Sequence, residues 1–202
     1  MSVAEARAAA RADIGPIYWG VGHFLFINAF ALGVIALAAR YIHQPRWSLL
    51  TVPIAFLYAN YVEYRAHKGP MHHRTRFLGL VFDRHTLMHH QVFTQDNMRA
   101  DSSRDFKLVL FPPVLLIFFF GFFALPVSLV LKLIFGNNVA ALFAITAMTY
   151  YLLYEWLHLS YHLGLSGSLA RHHAAHHDPQ LMTTHNFNIT FPICDKLSGT
   201  CR

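Results

Sequence analysis

Apolar runs long enough to form membrane helices alternate along this chain with polar stretches in which histidine recurs. A helix needs about 20 predominantly apolar residues to cross a bilayer core. The first run is 17–39, IYWGVGHFLFINAFALGVIALAA. The second, about 48–66, opens SLLTVPIAFLYANYVEY and turns polar at its end. The third, about 107–125, reads KLVLFPPVLLIFFFGFFAL and is expected to stop near Pro126. The stretch PVSLVLKLIFG that follows is too short to cross alone, so an interfacial or re-entrant continuation is expected. The fourth, about 139–163, is VAALFAITAMTYYLLYEWLHLSYHL. The pattern predicts an all-α integral membrane four-helix bundle made of two hairpins. It forms one domain over 1–202, with the segments 67–106 and 164–202 as a histidine-rich helical cap.

Two hairpins place the N-terminus and both cap segments on one face. That face collects 13 of the 16 lysines and arginines, leaving Arg40, Arg46 and Lys132 opposite. Basic loops stay cytoplasmic, so a multi-pass protein with its histidine-rich face in the cytoplasm is expected. The N-terminal MSVAEARAAARADIG begins with alanine and charge, unlike a signal peptide, and predicts a short interfacial helix.

Composition supports the membrane reading. The chain is 55% hydrophobic and 13% charged, against about 25% charged in an average soluble domain. Its net charge of +6 is dispersed and interrupted by acids, which fits topology and lipid headgroups better than nucleic acid. Two cysteines, Cys194 and Cys201, are too few for a disulfide framework or a cysteine zinc site.

The histidines change the picture most. Of 15, 13 fall within 67–90 and 158–185. His158 and His162 are four apart, as are His85 and His89 with His90 beside them; His173 and His176 are three apart with His177 adjacent. Each pair therefore shares a helical face. Gly69-Pro70 is expected to end the second helix and turn the chain, letting His67 and His72 converge across the bend. Ten such imidazoles gathered without a metal would repel when protonated and lack partners when neutral. Neutral imidazole is a common metal ligand, and ten suffice for two centres of four to five each.

The type of centre narrows by elimination. No histidine is followed by glutamate, so the His-Glu-x-x-His zinc motif is absent. A carboxylate-bridged di-iron bundle needs four glutamates and two Glu-x-x-His motifs. The chain has Glu5, Glu63 and Glu155, with one such motif from Glu155 to His158. An imidazole-dominated two-metal site remains, and iron suits it if its purpose is redox. Glu63 and Glu155 lie one turn before His67 and His158, and Asp178 follows His177. These acids are candidates to accept the ring N–H that faces away from a metal.

In order along the chain, His67 and His72, then His85, His89 and His90, then His158 and His162, then His173, His176 and His177 resemble the histidine boxes of the fatty acid hydroxylase/sterol desaturase superfamily of integral-membrane di-iron enzymes. The added box at His158 and His162 is similar to that of fatty acid 2-hydroxylases. The tail NFNITFPICDKLSGT, 186–200, resembles the family's ending, and RDFKLVLFPP, 104–113, resembles the approach to the third span of acyl hydroxylases. The chain departs from the family pattern at Asn188, Cys194 and Ser198, where Gly, Trp and Phe are usual. Its second box has three intervening residues where 2-hydroxylases often have two. His73, His172, His185 and Asn186 lie beside the boxes as further candidates.

The resemblance implies an O2-dependent lipid monooxygenase holding two iron ions, which zinc can replace on purification. It implies hydroxylation of an acyl chain in the bilayer, with a sterol- or carotenoid-type hydroxylase or a desaturase as alternatives. Attack on an unactivated C–H bond requires a cofactor. The chain has no room for a haem or flavin module, so a separate electron-donor protein is expected. A non-catalytic membrane metal-binding or transport protein is the remaining alternative. It would need polar residues through the bilayer centre, where only His23, Asn28 and Asn60 stand.

Overall fold

A computed structural model describes residues 3–43 and 46–202. The protein is 71% helical, with no strand among the described residues. The helices are α1 (Val3–Ala12), α2 (Gly20–Ala39), α3 (Thr51–Ala66), α4 (Gly79–Arg84), α5 (Phe106–Val109), α6 (Pro113–Phe119), α7 (Leu125–Phe135), α8 (Asn137–His162), α9 (Ser168–His176) and α10 (Ile193–Leu197).

Three π turns, His67–Met71, His85–His89 and Phe120–Ala124, interrupt or extend these helices. Two correct expectations drawn from proline. Gly69-Pro70 does not end the helix at His67; the chain stays helical through Met71 before turning at His72. Proline lacks an N–H and its ring clashes with the carbonyl four residues back, a conflict that the wider i→i+5 turn relieves. Pro126 likewise does not stop the third apolar run. The π turn Phe120–Ala124 precedes it and α7 carries the helix on to Phe135, so PVSLVLKLIFG is the continuation of one long helix.

Among the described residues, three stretches are long and apolar enough to cross a membrane: Gly20–Ala39, Ser103–Phe135 and Asn137–His162. Three of the four expected spans are thus helices of spanning length. The other, α3, has 16 residues, rises about 24 Å, and carries Glu63 and Arg65.

The chain divides into two compact units. One comprises Gly22–Ala59 and Phe111–Glu155. Ile27, Ala31, Leu116 and Leu152 are buried in it, and Phe56 packs edge-on against Tyr150. Its outer surface is apolar, with Ile54, Phe122, Leu133 and Ile134 all more than half exposed. Such a continuous apolar exterior suits lipid rather than water. Gly136, at φ 88°, makes the sharp link from α7 to α8 in a conformation that L side chains rarely adopt.

The other unit comprises the chain up to Val21, Asn60–Leu110 and Trp156–Arg202. Its interior holds eleven buried histidines, and the fully buried Phe93 and Phe187 pack against five of them. Two acids organise its backbone. Glu63 accepts from the amides of Ile189 and Thr190, the Thr190 hydroxyl and the Asn188 side chain. Asp195 accepts from the amides of Phe187 and Asn188 and from the Thr200 hydroxyl. Both carboxylates therefore hold the tail segment 187–190. On another side, Arg11 of α1 pairs with Asp105, which is buried.

Candidate metal centre

Ten histidines form two groups of five. His67, His72, His85, His90 and His176 make one; His89, His158, His162, His173 and His177 make the other. All ten are buried, and within each group one ring nitrogen per residue lies within 4.8 Å of all the others. The groups abut, with the rings of His90 and His177 stacked 4.3 Å apart.

The π turns explain how neighbouring histidines divide between the groups. Residues five apart in a regular α-helix point to different sides, whereas an i→i+5 turn aligns them. His67 and His72 flank the first π turn, with rings stacked at 5.2 Å. His85 and His90 flank the second, their Nε2 atoms 3.0 Å apart. His89 is thereby turned to the other group. In α9, ordinary helical spacing puts His173 and His177 together and gives His176 to the first group. The shared-face pairings read from sequence at His85/His89 and His173/His176 are therefore re-sorted, because the relevant spacings are five in the π turn and four in α9.

Hydrogen bonds on the outer nitrogens set the tautomers. The Nδ1 atoms of His89, His162 and His177 lie 2.8, 2.7 and 2.7 Å from the carbonyl oxygens of Leu108, Met98 and Phe93. Those of His67 and His176 meet the carbonyls of Phe187 and His185. A carbonyl only accepts, so each of these Nδ1 atoms carries the proton and, in the neutral ring, Nε2 is a bare lone pair. His72 reaches the same state through Thr86, whose hydroxyl donates to Met71 O and receives His72 Nδ1–H at 3.2 Å.

Bare Nε2 atoms then face each other: His89 and His177 at 3.2 Å, His72 and His176 at 3.0 Å. Neither pair can hydrogen-bond internally. Protonation is opposed as well. Burial, reinforced by neighbouring imidazoles, lowers His72 to about 2. Burial lowers His89 to about 3. It also holds His67, His85, His90, His173, His176 and His177 well below the ordinary histidine range. A cation at the focus of each group satisfies these facing lone pairs. Nitrogens bonded at about 2.1 Å sit about 3.0 to 3.4 Å apart at right or tetrahedral angles. Facing Nε2 separations run from 2.8 Å, just under that spacing, to 3.3 Å, within it.

The remaining expected residues sit elsewhere. His73 is exposed, and His185 contributes its carbonyl to His176 while its ring meets Thr184. His172 pairs with Asp195 at 3.3 Å. None of the three belongs to either group of five. Asn186, at φ 59°, donates to His172 O and accepts from Arg202 N. Asp178 caps a turn through Gln180 N, and Glu155 accepts from the Tyr151 hydroxyl and Phe111 N. Glu63 holds Asn188, Ile189 and Thr190 of the tail, next to the Phe187 whose carbonyl meets His67, and is not a carboxylate beside the ring. Sequence reasoning passed over Asp195 and Thr86. Acids one turn from a histidine are legible in sequence, whereas most ring N–H partners here are main-chain carbonyls, which leave no residue-type signal.

No curated protein and no solved structure matches the chain. The model of the fatty acid hydroxylase family does match, over residues 52–200, a stretch that contains all ten grouped histidines, Glu63 and Asp195. On that match, the chain belongs to the fatty acid hydroxylase family.

Proposed function

We propose that the protein is an O2-dependent di-iron oxidoreductase that hydroxylates a fatty acyl chain of a membrane lipid, drawing electrons from a separate donor protein. The observation that carries this reading is the pair of adjacent imidazole quintets with lone pairs aimed inward. His67, His72, His85, His90 and His176 are the proposed ligands of one ion; His89, His158, His162, His173 and His177 are those of the other. Iron in such a site supplies the electron-transfer and O2 chemistry that acid–base side chains lack. An all-nitrogen donor set suits iron and also accepts zinc, so zinc is expected to replace iron in some preparations.

The side chains' own tasks follow from their contacts. The carbonyls of Phe93, Met98, Leu108, His185 and Phe187 fix the ring orientations before any ion arrives. Burial of all ten rings keeps bulk water from them. Apolar helices of spanning length would keep an acyl chain in hydrocarbon. The excess of basic residues beside the histidine segments supports a cytoplasmic site, within reach of a soluble or peripheral reductant.

The test is expression of the full chain, with a reductase system, in a host rich in acyl lipids. The lipid extract is expected to gain a species heavier by one oxygen, with label from 18O2, and His158→Ala is expected to abolish it. Loss of two hydrogens instead would identify a desaturase. A lipidome identical in wild type and variant would refute the hydroxylase reading.

A further inference from the structure

We infer that Arg7, in the N-terminal helix and outside the stretch that matches the family, is a positioning residue for the second quintet of histidines. Its side chain is 11% exposed. It donates to three main-chain carbonyls: Nε to Val92 O at 3.1 Å, and Nη2 to Asn97 O and Arg99 O, both at 2.9 Å. Each of these adjoins a carbonyl that orients a histidine. Phe93 O, next to Val92, accepts from His177 Nδ1, and Met98 O, between Asn97 and Arg99, accepts from His162 Nδ1.

Successive carbonyls alternate in direction along extended backbone, and Phe93 is extended at φ −110°, ψ 113°. Around the turn closed by Thr94 and Asn97, the oxygens of Val92, Asn97 and Arg99 meet the guanidinium, and the interleaved ones of Phe93 and Met98 meet the imidazoles. Arg7 also lies over the Phe93 ring, 5.5 Å from its centroid, and that ring lies 4.4 Å from His162 and 5.2 Å from His89. A planar guanidinium with five fixed N–H groups can hold three carbonyls together in a way that an ammonium cannot. In the first quintet, the ring N–H partners lie elsewhere, on Phe187, His185 and Thr86. Arg7 thus governs one centre and not the other.

The inference rests on the reading of each quintet as a metal site, and the experiment separates the two. Metal-stripped full chain in detergent is titrated with cobalt(II), following heat and visible absorbance. Each binding step is assigned by its disappearance in His72→Ala or in His177→Ala. Wild type that takes up no cobalt would refute the metal reading itself. With two steps in wild type, Arg7→Lys is expected to weaken the second-quintet step at least tenfold, within the about 10- to 100-fold range seen when groups supporting metal ligands are removed. The first-quintet step stays unchanged. Arg11→Gln, which loosens α1 at Asp105 and Asp101 without touching those carbonyls, is expected to leave both steps intact. Arg7→Lys with wild-type affinity at the second quintet would overturn the inference. So would equal weakening of both steps, or an Arg11→Gln effect as large.

Discussion

His89 and His177 present their Nε2 atoms to each other at 3.2 Å while their Nδ1 protons are committed to Leu108 O and Phe93 O. Two lone pairs in contact, with no proton available between them, are unfavourable unless a cation lies at their focus. His72 and His176 repeat the relationship in the other group, through Thr86 and His185 O. These four tautomers are imposed by the fold rather than by a ligand, so their Nε2 lone pairs are oriented in advance of any ion.

The division of histidines between groups makes single substitutions selective. His177→Ala is expected to remove one ion while the other stays, and His72→Ala to do the converse. Metal analysis of the purified variants checks this, with about one ion per chain expected in each.

The first π turn is needed for His67 and His72 to share a group. Pro70→Ala restores the N–H and removes the ring that favour the wide turn, making regular α geometry accessible. Weaker binding at the first group, on the order of tenfold, with the second unchanged, is the expected outcome of a cobalt titration.

Glu63 is expected to matter as a brace for the tail. Glu63→Ala strips acceptors from the Ile189 and Thr190 amides, the Thr190 hydroxyl and the Asn188 side chain. Each buried donor left unsatisfied costs about 1–3 kcal/mol. A loss of several kcal/mol in detergent-solubilised stability is expected, together with weaker metal at His67, whose Nδ1 leans on Phe187 O. Denaturant titration and metal analysis report the two effects.

Acid should destabilise the metal-free protein. Burial lowers the folded-state affinity of His67, His72, His85, His89, His90, His173, His176 and His177 for protons, while the unfolded chain titrates near 6.5. Above that value both states are neutral and stability is independent of these groups. As pH falls below it the unfolded state alone takes up protons, and each histidine removes up to about 1.4 kcal/mol per pH unit. The fall continues towards pH 3, near the folded-state value of His89. Bound metal acts in the same direction, since protons compete for the same nitrogens. Thermal unfolding of metal-free protein from pH 8 to 5 checks this; a flat profile below 6.5 would contradict it.

Much of this was legible in the sequence. Periodicity and composition indicated helices at α2, α6 and α8, and the clustering of histidines located all ten residues that the structure groups. What stayed hidden depends on three-dimensional detail. Pro70 and Pro126 read as helix ends because proline breaks a regular ladder, yet each is accommodated by a π turn that leaves no composition signal. The π turn His85–His89 separates two histidines that ordinary helical spacing places together. Glu155 looked like a partner for His158 at one turn's distance, but its oxygens receive Tyr151 and Phe111. The groups that orient the rings are carbonyls, present at every residue and so visible only once the chain is folded.

The most direct test of the whole account is the metal content of the purified full chain, measured by elemental analysis beside the variant His176→Ala. Two ions per wild-type chain and a loss of at least one in the variant are predicted. A wild type carrying none after reconstitution with iron, or a variant that keeps both, would contradict the claim that these histidines form a two-metal centre.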